Sequence, residues 1–382
     1  MMTRFHPPLP NPPRRIYPPF PRRLAFFIIG CAALLLRILT APLRLLRAAP
    51  RPTRPLLIYE PFGLGDTLRL QPLVNAWLAT GRSVAVAARP DWKPLFASHP
   101  KFRFIPIAPA YANPDPDKKY ARPIQDLLQT ASALRPFAKG ADCIDPRGDV
   151  RALSVLYLAS AARVFSLQRY FSANDCRIPP FAAHLAPVSP DKTRAELSRI
   201  WAPPNAPYAT PSLSHLLHSP ITPDPHRIGL IPCTPWRGKR WPDEHWKNLV
   251  PLLQIRGWTP VWLCGPGDAP LLPHLPRPIQ TLTAHSIPEW VETLAKCALV
   301  ISVNTGPMHI ADVLQKPLIV LDGPSRLPLW APENPNAIVL HHQDCVTWAP
   351  VAPVDDGIRC QTELMAKVTP AEVVEQLPPL HP

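Results

Sequence analysis

Asn304-Thr305-Gly306-Pro307 follows the apolar run Leu299 to Val303. The run reads as a buried strand, and Pro307 suits the first turn of a helix because its missing N–H would have no partner there. A helix that starts at the carboxyl end of a parallel strand presents free N–H groups and a partial positive charge, which suits phosphate. Three more loops in the same half of the chain carry reactive or polar groups. Thr234, Lys239 and Arg240 follow Ile231, Gly265, Gly267 and Asp268 follow Leu263, and Gly323 and Ser325 follow Leu321. A lysine, hydroxyls and backbone donors make an anion site, and a carboxylate such as Asp268 can take two ribose hydroxyls. The expected ligand is a nucleoside diphosphate. Neither G-x-x-x-x-G-K-[ST] nor G-x-G-x-x-G is present, so neither the P-loop nor the dinucleotide fingerprint applies. Nearer the start, Gly63-Leu64-Gly65-Asp66-Thr67 places a carboxylate at a helix start. Asp66 is either an N-cap or, if two domains meet edge to edge, a general base for an incoming hydroxyl.

These loops need two sets of parallel strands to hold them. Leu56–Tyr59, Val84–Ala88, Phe102–Ile107, Cys143–Asp145 and Val164–Leu167 read as strands, with helices at 67–79, 92–97, 124–138 and 150–161 between them. Strands alternating with helices mean an α/β fold with a parallel sheet covered on both faces. The pattern restarts at Ile228–Ile231 and continues through a helix at 243–255, strands at 259–263, 299–303 and 318–321, and capping boxes at Ser286 and Thr369. Prolines crowd residues 178–227, which read as a connector. The expected organisation is a tail over 1–54, a first Rossmann-like domain over 55–177 and the connector over 178–227. A second such domain over 228–368 and a terminal helix and tail over 369–382 complete it. The tryptophans around the second domain, Trp241, Trp246, Trp258 and Trp262, read as scaffold, with Trp236 in the loop itself.

Composition limits the partners. The net charge of +14 would suit nucleic acid, yet residues 1–54 hold ten arginines and no acid, so the tail carries +10 and the rest +4. The basic signal belongs to the tail and not to a nucleic-acid-binding face. Leu24 to Leu36 is an apolar run of thirteen, short of the roughly 20 residues needed to cross a bilayer. Arginines flank it on both sides. Residues 24–47 suit a segment dipping into an anionic membrane surface, with a tilted anchor and a secretion signal as rivals. The eight cysteines form no C-x-x-C pair, so a zinc site has no support and reduced thiols in the cytoplasm are the default. Glycine is scarce at 14, and seven of these (Gly63, Gly65, Gly238, Gly265, Gly267, Gly306 and Gly323) fall in the loops singled out above.

Taken together in this order, Gly63-Leu64-Gly65-Asp66, Ile144-Asp145-Pro146-Arg147-Gly148, Lys239-Arg240-Trp241-Pro242, Gly265-Pro266-Gly267-Asp268 and Asn304-Thr305-Gly306-Pro307-Met308-His309 are specific. From about Leu56 to Leu377 the chain resembles glycosyltransferase family 9, the lipopolysaccharide heptosyltransferases. The resemblance implies a GT-B architecture, two Rossmann-like domains facing across a cleft. It implies an inverting, metal-independent transfer of heptose from ADP-heptose to a lipid-linked core oligosaccharide. The ADP-sugar is then a substrate, and no cofactor or metal is expected. By motif, Asp66 matches the catalytic base and Lys239 the lysine that neutralises the donor phosphates. Thr234 matches the phosphate-loop hydroxyl, Asp268 the acidic ribose ligand, and Thr305, Gly306 and Met308 the helix start against the diphosphate. Two positions depart from the pattern. Asn304 stands where the family has Asp, which leaves the sugar open. Arg147 stands where a neutral amide is usual, and is expected either to lie in solvent or to meet an acidic acceptor.

The resulting expectation is a glycosyltransferase at the cytoplasmic face of the inner membrane, with a nucleotide-binding membrane scaffold of the same fold as the alternative. A chain beginning at Pro52 is expected to stay out of the membrane pellet and to bind ADP by calorimetry. Pelleting with membranes, or failure to fold, would make the tail part of the folded body.

Overall fold

A computed structural model describes residues 35, 54–113, 122–167, 184–186, 193–207, 209–268, 271, 279–323, 325, 330–342 and 362–380. Apart from Leu35, the basic tail through residue 53 lies outside the described residues, as do Pro324, Cys31, Cys176, Cys345 and Cys360. The chain forms two compact units that meet between Pro211 and Ser212. No described helix is long and apolar enough to cross a membrane.

In the first unit β1 (Leu56–Tyr59), β2 (Val84–Ala88), β3 (Phe102–Pro106), β4 (Asp142–Asp145), β5 (Arg163–Leu167) and β6 (His184–Ala186) form one sheet in the order β3-β2-β1-β4-β5-β6. Every pairing is parallel. The β1 run Leu-Leu-Ile-Tyr is buried throughout because the sheet is covered on both faces. Alternate residues serve opposite layers. Leu57 and Tyr59 pack with Leu127, Leu134, Leu153 and Leu156 from helices α3 (Pro123–Ala138) and α4 (Val150–Leu158). Leu56 and Ile58 pack with Leu73, Val74 and Leu78 on the other side.

The helix expected over 67–79 is two helices, α1 (Leu64–Leu68) and α2 (Gln71–Ala79). The reason is Pro72 in the first turn of α2, which has no N–H to offer the Leu68 carbonyl. α1 also begins three residues earlier than expected, and Asp66 lies within its first turn rather than at its cap, which is Gly63.

The Pro-rich stretch is more than linker. β6 pairs with β5 as the edge of the first sheet, and α5 (Arg194–Arg199) follows with a full capping box at Thr193 and Glu196. Trp201 then packs on Phe165 at 5.7 Å between ring centres and accepts a 2.8 Å hydrogen bond from Trp77 Nε1 through its carbonyl.

The second unit repeats the plan. β7 (Asp224–Ile231), β8 (Thr259–Cys264), β9 (Thr281–Thr283), β10 (Cys297–Val303), β11 (Leu318–Asp322) and β12 (Ala337–His341) lie in the order β12-β11-β10-β7-β8-β9, all parallel. β9 and β12, the two edge strands, were not expected from sequence; β9 has no apolar run, whereas the run Ala337 to Leu340 in β12 was a signal that went unread. α6 (Asp243–Ile255), α7 (Ile287–Ala295), α8 (Gly306–Val313) and α9 (Pro370–Glu375) complete the unit, and the caps expected at Ser286 and Thr369 are in place. Trp241, Trp246 and Trp262 are core, stacked edge to face at 4.8 and 5.6 Å, an arrangement that aromatic quadrupoles favour.

One glycine is indispensable to the first unit. Gly148, between β4 and α4, has φ +73°, and a Cβ there would lie 2.5 Å from the Leu167 carbonyl oxygen. Gly148→Ala is expected to cost at least about 1–2 kcal/mol from the left-handed backbone alone, read as a fall in the urea midpoint. An unchanged midpoint would mean that the turn relaxes freely.

Candidate functional site

Both sheets reverse their strand order at the centre, between β1 and β4 in the first unit and between β10 and β7 in the second. Crossovers leave such a point toward opposite faces, so a crevice opens at the carboxyl ends of those two strands, and ligands bind there in open α/β sheets. Each unit carries a polar cluster at this position.

In the second unit the loop after β7 brings Lys239 to the loop after β10. Lys239 is only 8% exposed. Its Nζ donates to Asn304 Oδ1 at 3.3 Å and lies 4.7 Å from the centre of the Trp236 ring, within cation–π range. Asn304 Nδ2 donates to the Trp330 carbonyl at 3.4 Å. The buried Asp322 at the end of β11 belongs to the same neighbourhood. Burial would push its carboxyl up, but His341 and then Lys239 outweigh this and hold it below the usual carboxylate range. His341 Nδ1 is 3.3 Å from Asp322 Oδ2.

Thr234, Thr305, Gly306 and Met308 are placed at the same edge. The Thr234 hydroxyl accepts from the Trp236 N–H at 3.3 Å, and its carbonyl accepts from Arg240 Nε at 3.1 Å. Thr305 is the N-cap of α8, and its side chain makes no capping hydrogen bond. Met308 is fully buried, so it presents only its backbone to the helix start. Asp268 works on its own loop. Its Oδ2 accepts from the Gly265 N–H at 2.7 Å. Burial pushes its carboxyl up, against the Gly265 hydrogen bond and the Arg240 charge.

In the first unit Asp66 is 5% exposed, and its Oδ2 accepts from Arg147 Nη1 at 3.0 Å. Arg147, from the loop after β4, therefore crosses the switch point to reach the loop after β1. The same nitrogen is 3.8 Å from Glu60 Oε1, and the guanidinium lies 4.6 Å from the centre of the Phe62 ring. Burial alone would lower the Arg147 pKa, but the charges of Asp66 and Glu60 outweigh it and hold it above the ordinary value. Arg147 is therefore not the freely solvated cation that was one of the two expectations for it. It is a partly buried partner of Asp66, because two carboxylates at the end of β1 need a cation. A Cβ on Gly63 would stand 2.6 Å from Asp66 Oδ2, so a glycine there leaves room for the carboxylate.

Behind Arg147 stands Asp145, fully buried. It accepts from the backbone N–H of Arg147 at 3.0 Å, from that of Asp149 at 2.9 Å and from Ser166 Oγ at 2.8 Å. Asp149 caps α4 and grips Arg151 at 2.9 and 2.6 Å. Sequence reasoning missed Glu60, Asp145 and Asp322 as parts of the clusters. The signal was available: each stands at the carboxyl end of a buried strand or just beyond it, where a charged residue is costly unless it is paired.

Residues 206–347 match the family model for glycosyltransferase family 9 (heptosyltransferase). That span holds the whole second sheet and every site loop on it, and there the resemblance to family 9 read from the motifs is borne out. Lipooligosaccharide heptosyltransferase 2 of Haemophilus influenzae is 27% identical over 111 residues, which is 27% of this chain and 32% of the relative. The match thus spans about a third of that curated relative. Among solved structures, E. coli heptosyltransferase WaaC with ADP-2-deoxy-2-fluoro heptose superposes with a TM-score of 0.60 at 20% identity, covering 84% of this chain and 98% of that one. The glycosyl transferase family 9 structure from Veillonella parvula gives 0.59 at 15% identity, covering 86% and 97%. These likenesses bear out the α/β fold of two Rossmann-like domains across both units.

Burial, then the charge of Asp149, raises the Asp145 pKa to about 6, against the pull of Ser166 and the two N–H groups. A carboxyl that holds its proton more tightly in the folded state contributes stability below the unfolded carboxylate range and loses it as pH rises to about 6. Urea unfolding between pH 4 and 7 is expected to show this loss, and Asp145→Asn to flatten that part of the profile. An unchanged slope in the variant would assign the pH dependence elsewhere.

Proposed function

We propose that this chain is an inverting glycosyltransferase that moves a heptose, or a related sugar, from an ADP-sugar to a lipopolysaccharide core-type acceptor. The observation that carries the reading is the pairing of buried Lys239 with Asn304 at the switch point of a family 9 domain. The printed ligand of the WaaC structure, an ADP-heptose analogue, supports the donor class. In this reading Lys239, the Thr234 hydroxyl and the N–H groups at the start of α8 hold the diphosphate. Asp268 serves the ribose and Asn304 the sugar hydroxyls.

The reaction is one displacement. The acceptor hydroxyl oxygen bonds to the anomeric carbon while the bond from that carbon to the phosphate oxygen breaks, through an oxocarbenium-like state. The electron pair stays on the leaving ADP, and the hydroxyl proton passes to Asp66. Lys239 and the α8 N–H groups meet the charge that grows on the leaving group. No metal is assigned a step. The arginine-rich tail would hold the protein at the cytoplasmic face of the inner membrane, where its lipid-linked acceptor lies.

A nucleotide-sugar-binding scaffold of the same fold is the second reading, favoured by Asn304 in place of the family's acid. Two variants separate them. Asp66→Asn is expected to keep ADP affinity near that of the parent while transfer falls about 10²–10⁴-fold, the worth of a positioned base. Lys239→Ala is expected to weaken ADP binding and slow turnover together. Calorimetry beside a sugar-transfer assay reads both. Full transfer by Asp66→Asn removes the base. A parent that binds ADP-sugars but transfers to no lipid A core acceptor is a scaffold.

A further inference from the structure

We infer that Arg147 is a positioning residue for the Asp66 carboxylate, acting through Asp66 on the transfer reaction; the inference rests on the reading of Asp66 as the base. The guanidinium is itself fixed before it meets Asp66. Its backbone N–H is bound by buried Asp145, and the next residue, Gly148, is committed to a left-handed turn against the Leu167 carbonyl. The side chain lies over the Phe62 ring and beside Glu60. From that fixed place Nη1 holds Asp66 Oδ2 at 3.0 Å.

Asp66 needs such a holder. Glu60 and Asp66 are both buried at one strand end, and two like charges there repel unless a cation lies between them. The first turn of α1 brings the Asp66 carboxylate back over Gly63, whose missing side chain makes the space. Arg147 reaches it from the loop after the adjacent central strand β4, a loop pinned by Asp145 and by the turn at Gly148, so the direction of the carboxylate is set by a fixed loop. A base held to one rotamer is oriented before the acceptor arrives, and small errors of placement cost about 10²-fold in rate.

The test uses the full chain with Arg147→Gln, Arg147→Lys, Asp66→Asn and the double variant Arg147→Gln/Asp66→Asn. Transfer kinetics, ADP calorimetry and thermal melting are read on each. For Arg147→Gln the expected result is a fall in kcat of about 10–10²-fold, with donor KM and ADP affinity unchanged. Arg147→Lys should recover part of the loss, since it restores the charge without the rigid fork. The double variant should be no slower than Asp66→Asn alone, and the Tm shifts of the two single variants should fail to add. Full kcat in Arg147→Gln, or losses that multiply in the double variant, would overturn the inference. So would a rise in acceptor KM with kcat unchanged, which would make Arg147 an acceptor ligand. If the parent transfers no sugar, the glycosyltransferase reading fails on its own. The Arg147–Asp66 pairing is then judged by the Tm cycle, and additive shifts overturn it.

Discussion

The reversal of strand order at the centre of each sheet is the constraint on which the other features depend. A parallel sheet built from right-handed crossovers must send its helices to one face on one side of the reversal and to the other face beyond it. The loops above the two central strands then diverge. In the first unit the gap is bridged by Arg147 reaching Asp66, and in the second by Lys239 reaching Asn304. In both, a cation from one loop meets an oxygen from the loop of the neighbouring central strand.

Burying these groups is costly, and each cluster shows how the cost is offset. Charges taken out of water need partners with good geometry. Arg147 answers Glu60 and Asp66, Arg151 answers Asp149, and Asp145 is satisfied by two N–H groups and a hydroxyl. In the second unit Lys239 has an amide oxygen and an aromatic face, with the lowered Asp322 carboxyl in its field. These arrangements hold side chains in place before any ligand binds, as preorganised electrostatics requires.

Much of this was legible in the chain. The apolar runs at Leu56–Tyr59 and Leu299–Val303, the helix at Asp243–Ile255 and the caps at Ser286 and Thr369 follow from short-range rules of periodicity and hydrogen bonding, and the structure has them there, the second strand starting two residues earlier at Cys297. The α1/α2 break was written in Pro72 but was overridden by the apolar pattern. β6 and β9 were missed because a three-residue edge strand is defined by its neighbour and not by its own residues, whereas β12 had a readable apolar run.

Sequence by itself determined the class of fold, the loops that carry chemistry and the family resemblance, because each rests on local patterns or on motifs in order. It also showed that the basic charge belongs to the tail. Only the tertiary structure decided which side chains share a cluster. Asp66 and Arg147 are 81 positions apart, and Lys239 and Asn304 are 65 apart. Such pairs come together only when β4 is laid beside β1 and β10 beside β7, a matter of strand order that no stretch of residues encodes alone. That is why Arg147 read as a solvated or acceptor-facing cation in the chain and stands in the fold as the partner of Asp66.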